Sequence, residues 1–290
     1  MASIMTNASA MTALQTLNNI SKNMATTQSR ISTGLRVAEA SDNAAYWSIA
    51  TSMRSDNKAL SSIQDALGLG AGKLDTAYTG MNEVIDTVDK IKQKLVTARG
   101  ASQEDQNKIK TEITALQNHI KSVVANSNYA GSNILQDGTD VNIAASYNRV
   151  GTAVTVDKIT ITGSTVQVLD NTGANGIAGD VVAAALFVAA APGAANDTAV
   201  DAALVTVETA LASLADQAAT LGSAKSRVDL QKDFVSKLSD AIERGVGQMV
   251  DADMNEESAR LSALQVQSQL GIQALSIANS NSQNILSLFR

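Results

Sequence analysis

The sequence predicts a mainly α protein: a long antiparallel coiled-coil helix bundle built from both chain ends, with a small β-containing insertion at its centre. Three observations predict it. A single proline, Pro192, stands in 290 residues; proline inside a helix costs about 3 kcal/mol, so most of the chain is free to form very long helices. Apolar residues recur every seven positions at Met53, Leu60, Leu67, Leu74, Met81, Val88 and Leu95, the repeat of a coiled-coil seam. Aromatic residues make up only 3% of the chain, which favours slender helix packing over a thick core.

At the N-terminus, Ile4, Ala8, Met11, Leu14, Leu17, Ile20, Met24, Ile31 and Leu35 are spaced by three, four or seven, which is helical spacing; Gly34 is expected to loosen the end of this helix. Asp42 is the expected cap of the next one. There the interleaved positions Ile49, Ile63, Ala77, Val84, Ile91 and Ala98 complete a heptad broken by Asp56 and Gly70. About 55 residues of helix span roughly 80 Å. After Gly100, Ser102 followed by Asp105 forms a variant capping box, and Ile109, Ile113, Leu116, Ile120 and Val123 supply a second seam. The connection is short, so these two helices should run antiparallel. A third seam passes through Val200, Leu204, Val207, Leu211, Leu214, Ala218 and Leu221, is expected to shift near Lys225, and continues through Phe234, Leu238 and Ile242. The C-terminal stretch has Leu261, Leu264, Leu270, Ile277 and Leu288 on a similar period.

Between the helices, Val141–Ala145 and Val154–Val168 are rich in Val, Ile and Thr, which predicts two to four short strands. Residues 171–198 are rich in Gly and Ala and should form a surface loop with a short helix around Val181–Ala190. The division that follows is 1–40 with 251–290 as a terminal helical coiled coil, 41–138 with 199–250 as a helical bundle, and 139–198 as the insertion.

Charge is unevenly placed. Residues 1–21 and 261–289 carry no charged side chain, whereas an ordinary solvent-facing helix carries Lys and Glu on its outer face. Of the last 29 of these positions, 14 are Ser, Gln or Asn, too polar for a membrane span. Burial against other protein is therefore the expected fate of both ends. The net charge of −6 argues against nucleic acid as a partner, since phosphate binding needs clustered Lys and Arg. The first lysine is Lys22, so no basic start of a cleaved secretory signal is expected.

Enzymatic chemistry has few candidates, and no catalytic residue, cofactor or metal site is expected. There is no cysteine, and His119 is the only histidine, which excludes thiolate chemistry and a metal site with more than one imidazole; His119 should have a packing or surface role rather than one in a catalytic triad. Gly68, Gly70 and Gly72 lack the Lys-Ser/Thr and the preceding strand of a phosphate loop and are expected to permit close packing or a bend. Asp251, Asp253, Glu256 and Glu257 are expected to form a solvated junction rather than a cation site. Tyr46 and Trp47, at the start of the long helix, could either contact a neighbouring subunit or pack within the bundle.

Two segments carry a family resemblance. Ser32-Thr-Gly-Leu-Arg36 followed by Ser41-Asp-Asn-Ala-Ala45 resembles the N-terminal motif of bacterial flagellins, and Gly271, Leu275, Ala278-Asn279, Gln283 and Ile285-Leu-Ser-Leu-Phe-Arg290 resemble their C-terminal signature. The resemblance covers about residues 1–138 and 200–290, and Ala45-Tyr-Trp-Ser48 is most similar to flagellins of soil alphaproteobacteria. It implies a subunit that polymerises with itself, or with other flagellins, into the extracellular flagellar filament that propels swimming. The terminal helices then form an inner tube, the bundle a shell around it, and the insertion faces outward. It further implies a flagellar export apparatus, an export chaperone and a filament cap as partners, with neither nucleic acid binding nor membrane insertion. Residues Asp89–Val96 correspond to a surface read by an innate immune receptor; Gln93 and Lys94 replace an acidic residue and a leucine there, so weak recognition is expected.

The residues expected to carry assembly are Ile4, Met11, Leu14, Leu17 and Met24 facing Leu264, Leu270, Ile277, Ile285 and Leu288. The alternative is a hook-filament junction protein, which shares the terminal design. A translocator inserting in host membranes would need a longer apolar run than the sequence offers.

Overall fold

The computed structural model describes residues 7–151, 153–170, 172, 173, 175–183 and 194–287, without side chains at 194–196 and 281–287. In chain order the elements are α1 (Ala8–Thr33), α2 (Ala44–Ala98), α3 (Gln103–Asn126), α4 (Ile134–Asp137), β1 (Val141–Val150), β2 (Ala153–Ile161), α5 (Gly163–Val166), α6 (Gly179–Val182), α7 (Ala194–Val250) and α8 (Met254–Ser287). They divide into two compact units, residues 58–239 and residues 1–57 with 240–290.

In the first unit the heptad does what its spacing predicts. Leu60, Leu67, Leu74, Met81, Val88 and Leu95 are buried on α2, with Ile63, Ala77, Val84, Ile91 and Ala98 between them. The helix begins at Asn43 rather than Asp42: Asn43 Oδ1 accepts the Tyr46 N–H (3.2 Å), while Asp42 Oδ2 accepts the N–H groups of Ala38 and Glu39 and closes the preceding loop.

Helix α3 returns antiparallel to α2. Its start is the expected capping box, with Ser102 Oγ accepting the Asp105 N–H and donating to Asp105 Oδ2 at 2.7 Å. That hydroxyl, then Lys108, holds the Asp105 carboxyl below its ordinary pKa. The direction of α3 is read from side-chain pairs that step away from the turn: Gln106 Nε2 donates to Ala98 O (3.1 Å), Lys94 pairs with Glu112 (2.6 Å) and Glu83 with His119 (3.2 Å). His119 accordingly lies on the surface. On α7, Asp201 pairs with Arg99 (3.3 Å), Glu208 with Lys92 (2.6 Å) and Lys225 with Asp75, so α7 is antiparallel to α2 as well. Exposed ion pairs contribute little energy but mark the register.

The shift expected near Lys225 is corrected. Val200, Val207, Leu214, Leu221, Val228 and Val235 are all buried at seven-residue intervals, and Phe234 is 56% exposed. A seven-residue column stays on its partner when the helices wind slightly about each other; the larger Phe234 lies one residue, or about 100°, off that column. The expectation that no apolar run reaches membrane length is corrected too. Within α7 an 18-residue stretch has a mean hydropathy of 1.4, with 28% of it buried inside the protein.

The insertion forms one antiparallel hairpin, with Val141 opposite Ile161, Val150 opposite Ala153, and Ala145 as an extra residue on β1. Ile143, Ala145, Ile159 and Ile161 are buried. The break in the α2 heptad at Gly70 now has a cause: a Cβ there would lie 2.5 Å from Ile143 Cγ2, so the missing side chain is where the hairpin seats. Gly72 likewise makes room for Tyr129, whereas nothing approaches Gly68. Residues 163–166, expected as strand, form the short α5, since Gly163 abuts the Thr139 carbonyl. Of the short helix expected around Val181–Ala190, residues 184–193 lie outside the described residues; α6 (Gly179–Val182) overlaps only its start and is placed by buried Gln117, which donates to Val181 O (2.8 Å) and Ala183 O (3.2 Å).

Candidate assembly interface

In the second unit α1 and α8 lie antiparallel. Asn7 caps α1 through Oδ1 to the Ala10 N–H (3.1 Å) and donates from Nδ2 to Ala278 O (3.0 Å). Near the other end, Arg30 Nη1 meets Glu257 Oε1 at 3.1 Å. Gly34 does more than loosen α1: it ends the helix in the left-handed conformation (φ 73°), with its N–H returned to Arg30 O, the geometry that glycine adopts without a Cβ penalty.

The motif after Gly34 makes a chain crossing. Arg36 and Val37 N–H groups donate to Val250 O (2.7 and 3.2 Å), Ala252 N–H donates to Gly34 O (2.9 Å), and the Arg36 guanidinium donates to Met249 O (3.0 Å). A cation on the last carbonyls of α7 is favourable at the negative end of a helix. Val37, Ala50, Val246 and Val250 form a small core beneath, flanked by Leu35, Met53, Ile242 and Met249. Here the heptad reading is corrected: Ala50 is buried and Ile49 is 49% exposed. The role of Arg36 was legible only as part of the family motif.

Between α1 and α8 the covered residues are Ala10, Ala13, Leu17, Ile20, Met24, Thr27 and Ile31 on one helix, and Glu257, Leu261, Leu264, Ser268, Gly271, Leu275 and Ala278 on the other. Both columns step by threes and fours, as a coiled-coil seam does. Of the residues expected to face one another, Leu17, Met24 and Leu264 lie in this seam. Met11 (64% exposed), Leu14, Leu270 and Ile277 (64%) do not, and their expected intrachain facing is corrected. Neighbouring apolar residues three apart drift off a single column, so spacing alone mixes two faces. Ile4 and Leu288 lie outside the described residues, as does the side chain of Ile285.

Large apolar side chains nevertheless remain exposed on these charge-free stretches: Met11 and Leu14 on α1, and Val266, Leu270 and Ile277 on one side of α8 with Ile272 on another. Beside the seam an open groove of about 580 Å³ is lined by Ala8, Ser9, Thr12, Ala13, Thr16, Gly271, Ala274 and Ala278, without a titratable group. Tyr46 and Trp47 are 45% and 37% exposed at the start of α2. The acidic run is corrected at one member. Asp253 caps α8 through Oδ1 to the Asn255 N–H (2.8 Å), but Glu257 is only 5% exposed. Among the described residues, no group of three or more His, Asp or Glu is placed to hold a metal ion. Such surfaces can pack helices.

Comparison with known proteins agrees with this chemistry. Residues 4–140 match the bacterial flagellin N-terminal helical region and residues 204–289 the bacterial flagellin C-terminal helical region. The chain is 62% identical to a flagellin of Brucella melitensis and 45% identical to flagellin C of Rhizobium meliloti, in each case over 100% of both chains. A flagellar hook-associated protein from Vibrio parahaemolyticus shares the fold over 72% of this chain and 100% of its own, with a TM-score of 0.55 at 18% identity. That likeness is one of fold, whereas the full-length relatives are flagellins, so the junction-protein alternative is not favoured. With both helical regions in order and relatives matched from end to end, the chain belongs to the bacterial flagellins, structural proteins rather than enzymes, whose subunits polymerise into the extracellular filament of the swimming flagellum.

Proposed function

We propose that this flagellin polymerises through the outward apolar faces of its terminal helices. The observation that carries the reading is the exposed set Met11, Leu14, Val266, Leu270, Ile272 and Ile277 on stretches with no charge. Large apolar side chains left exposed on charge-free stretches mark an interaction site, and the occupant is a second copy of the chain. In the filament, residues 1–40 with 251–290 form the inner tube, 41–138 with 199–250 the shell, and 139–198 the outward insertion. Ile4, Ile285 and Leu288 extend the same interface, and Tyr46 and Trp47 supply an aromatic contact between subunits, a residue type enriched in such contacts. The chain leaves the cell unfolded through a flagellar export apparatus, without a cleaved signal, guided by a chaperone and added beneath a cap.

The terminal helices order only on polymerisation. Of the α1–α8 seam, Thr27, Glu257 and Leu264 alone are buried, too little apolar burial to offset the loss of backbone freedom. Residues 8–40 and 255–287 of the monomer are expected to give random-coil NMR shifts; sharp helical signals there would overturn this point. The assembly reading is tested by electron microscopy after acid dissociation and neutralisation, with the full-length chain beside one lacking residues 261–290. Long filaments are expected from the full-length chain only. Monomers or short capped oligomers from both would refute it.

A further inference from the structure

The terminal pair has two unlike sides. The seam of α1 passes through Ala10, Ala13 and Leu17, and that of α8 through Gly271, Leu275 and Ala278. Each residue turns a helix by about 100°, so the residue just before a seam position lies on one side and the residue just after it on the other. Thr12 and Thr16 precede Ala13 and Leu17, and Ala274 precedes Leu275. These three line the open groove of about 580 Å³, whose walls are all Ala, Ser, Thr or Gly. Met11, Leu14 and Ile272 instead follow Ala10, Ala13 and Gly271, and all three are exposed. In an antiparallel pair the preceding residues of both helices share one side, as Thr12 and Ala274 do in the groove, so the three large side chains share the other. The two sides are also level. A Cβ at Gly271 would lie 3.3 Å from Leu17 Cδ1 and Asn7 Nδ2 reaches Ala278 O at 3.0 Å, which places Leu14 opposite residues 272–274. A ridge of Leu14 and Ile272 and a hollow at Thr12 and Ala274 therefore stand at one height on opposite sides.

We propose that Leu14 and Ile272 of one subunit, with Met11 beside them, seat in the small-residue groove of a second copy. The small residues alone specify no partner; the ridge at the same height on the opposite side does. A self-matching patch closes on itself as a dimer, whereas an open helical polymer of one chain needs two different, complementary patches on each subunit. Here one patch is convex with large apolar side chains and the other concave with small ones. Both lie within the charge-free stretches 1–21 and 261–289, so no like-charge contact opposes the fit. Leu270 and Ile277 precede Gly271 and Ala278 and are exposed on the side of the groove, where they flank the incoming ridge. The inference rests on the terminal helices being the subunit contact, and adds which side of one subunit meets which side of the next.

The chain has no cysteine, so the contact can be read with single introduced ones. Leu14→Cys chains and Ala274→Cys chains are polymerised separately and as an equal mixture, then joined with a short bis-maleimide. Covalent dimers are expected from the mixture at about tenfold or more the yield of either chain alone, and a chain carrying both changes should give a ladder of oligomers. Equal or greater yield from Leu14→Cys alone would mean that ridge meets ridge, and overturns the proposal. Well-formed mixed filaments without covalent dimers overturn it too. Growth supplies a second reading. Ala274 is exposed in the subunit and leucine is a good helix former, so Ala274→Leu fills the groove without unfolding the helix. Overpacking of this kind should raise the critical concentration by about tenfold or more, whereas Ala274→Ser should leave it nearly unchanged. Groove filling without effect overturns the proposal, while failure of the natural chain to polymerise refutes the assembly reading on which it rests.

Discussion

A chain carrying Leu270→Glu together with Ile277→Glu is expected to fold its helical bundle normally and to require more than a hundredfold higher concentration to polymerise. Both positions are exposed on α8, and glutamate is a good helix former, so the isolated subunit tolerates the change. In the filament each carboxylate would be buried in a contact with no cation on the surrounding stretch, since residues 261–289 are uncharged. Burying an unpaired charge costs several kcal/mol; even about 3 kcal/mol in total corresponds to more than a hundredfold in an association constant. Sedimentation of polymer across a concentration series measures the shift, with Leu270→Met and Ile277→Val as a control that keeps the stripe apolar. A critical concentration unchanged by the two glutamates would remove these residues from the interface.

The second large effect belongs to the bundle. Leu74→Ala should destabilise residues 58–239 by about 2–5 kcal/mol, the range for emptying a well-packed core site, and lower the melting temperature by about 2–4 °C per kcal/mol. Leu74 is fully buried at the centre of the α2 heptad, whereas Leu69, five residues away, is 49% exposed. Leu69→Ala is therefore expected to change stability by only about 0.5 kcal/mol, as for surface positions generally. Circular dichroism melts of the two variants separate the cases, and equal losses would mean that the seven-residue column is not the core.

Much of this contrast is visible before any coordinates. The heptad from Leu60 to Ala98 and the capping box at Ser102 depend on residues close in sequence, and each is found as its pattern predicts. The same local rules mislead where two residues compete for one place. Asn43 rather than Asp42 caps α2, and Val235 rather than Phe234 lies in the α7 column, because one residue along a helix changes the face by about 100° and size does not reveal the choice.

Read without coordinates, the chain is one of long helices with an apolar seam in each of α2, α3 and α7, uncharged ends and a resemblance to flagellins. These follow from propensity, period and composition, which are properties of the chain alone. Only the tertiary structure decided which side of each end helix is covered, that Gly70 is the seat of Ile143, that Arg36 holds the last carbonyls of α7, and that Glu257 is buried beside Arg30. Each of these joins residues far apart in sequence, and a helix with apolar residues on more than one face takes its inward side from its partner rather than from its own period.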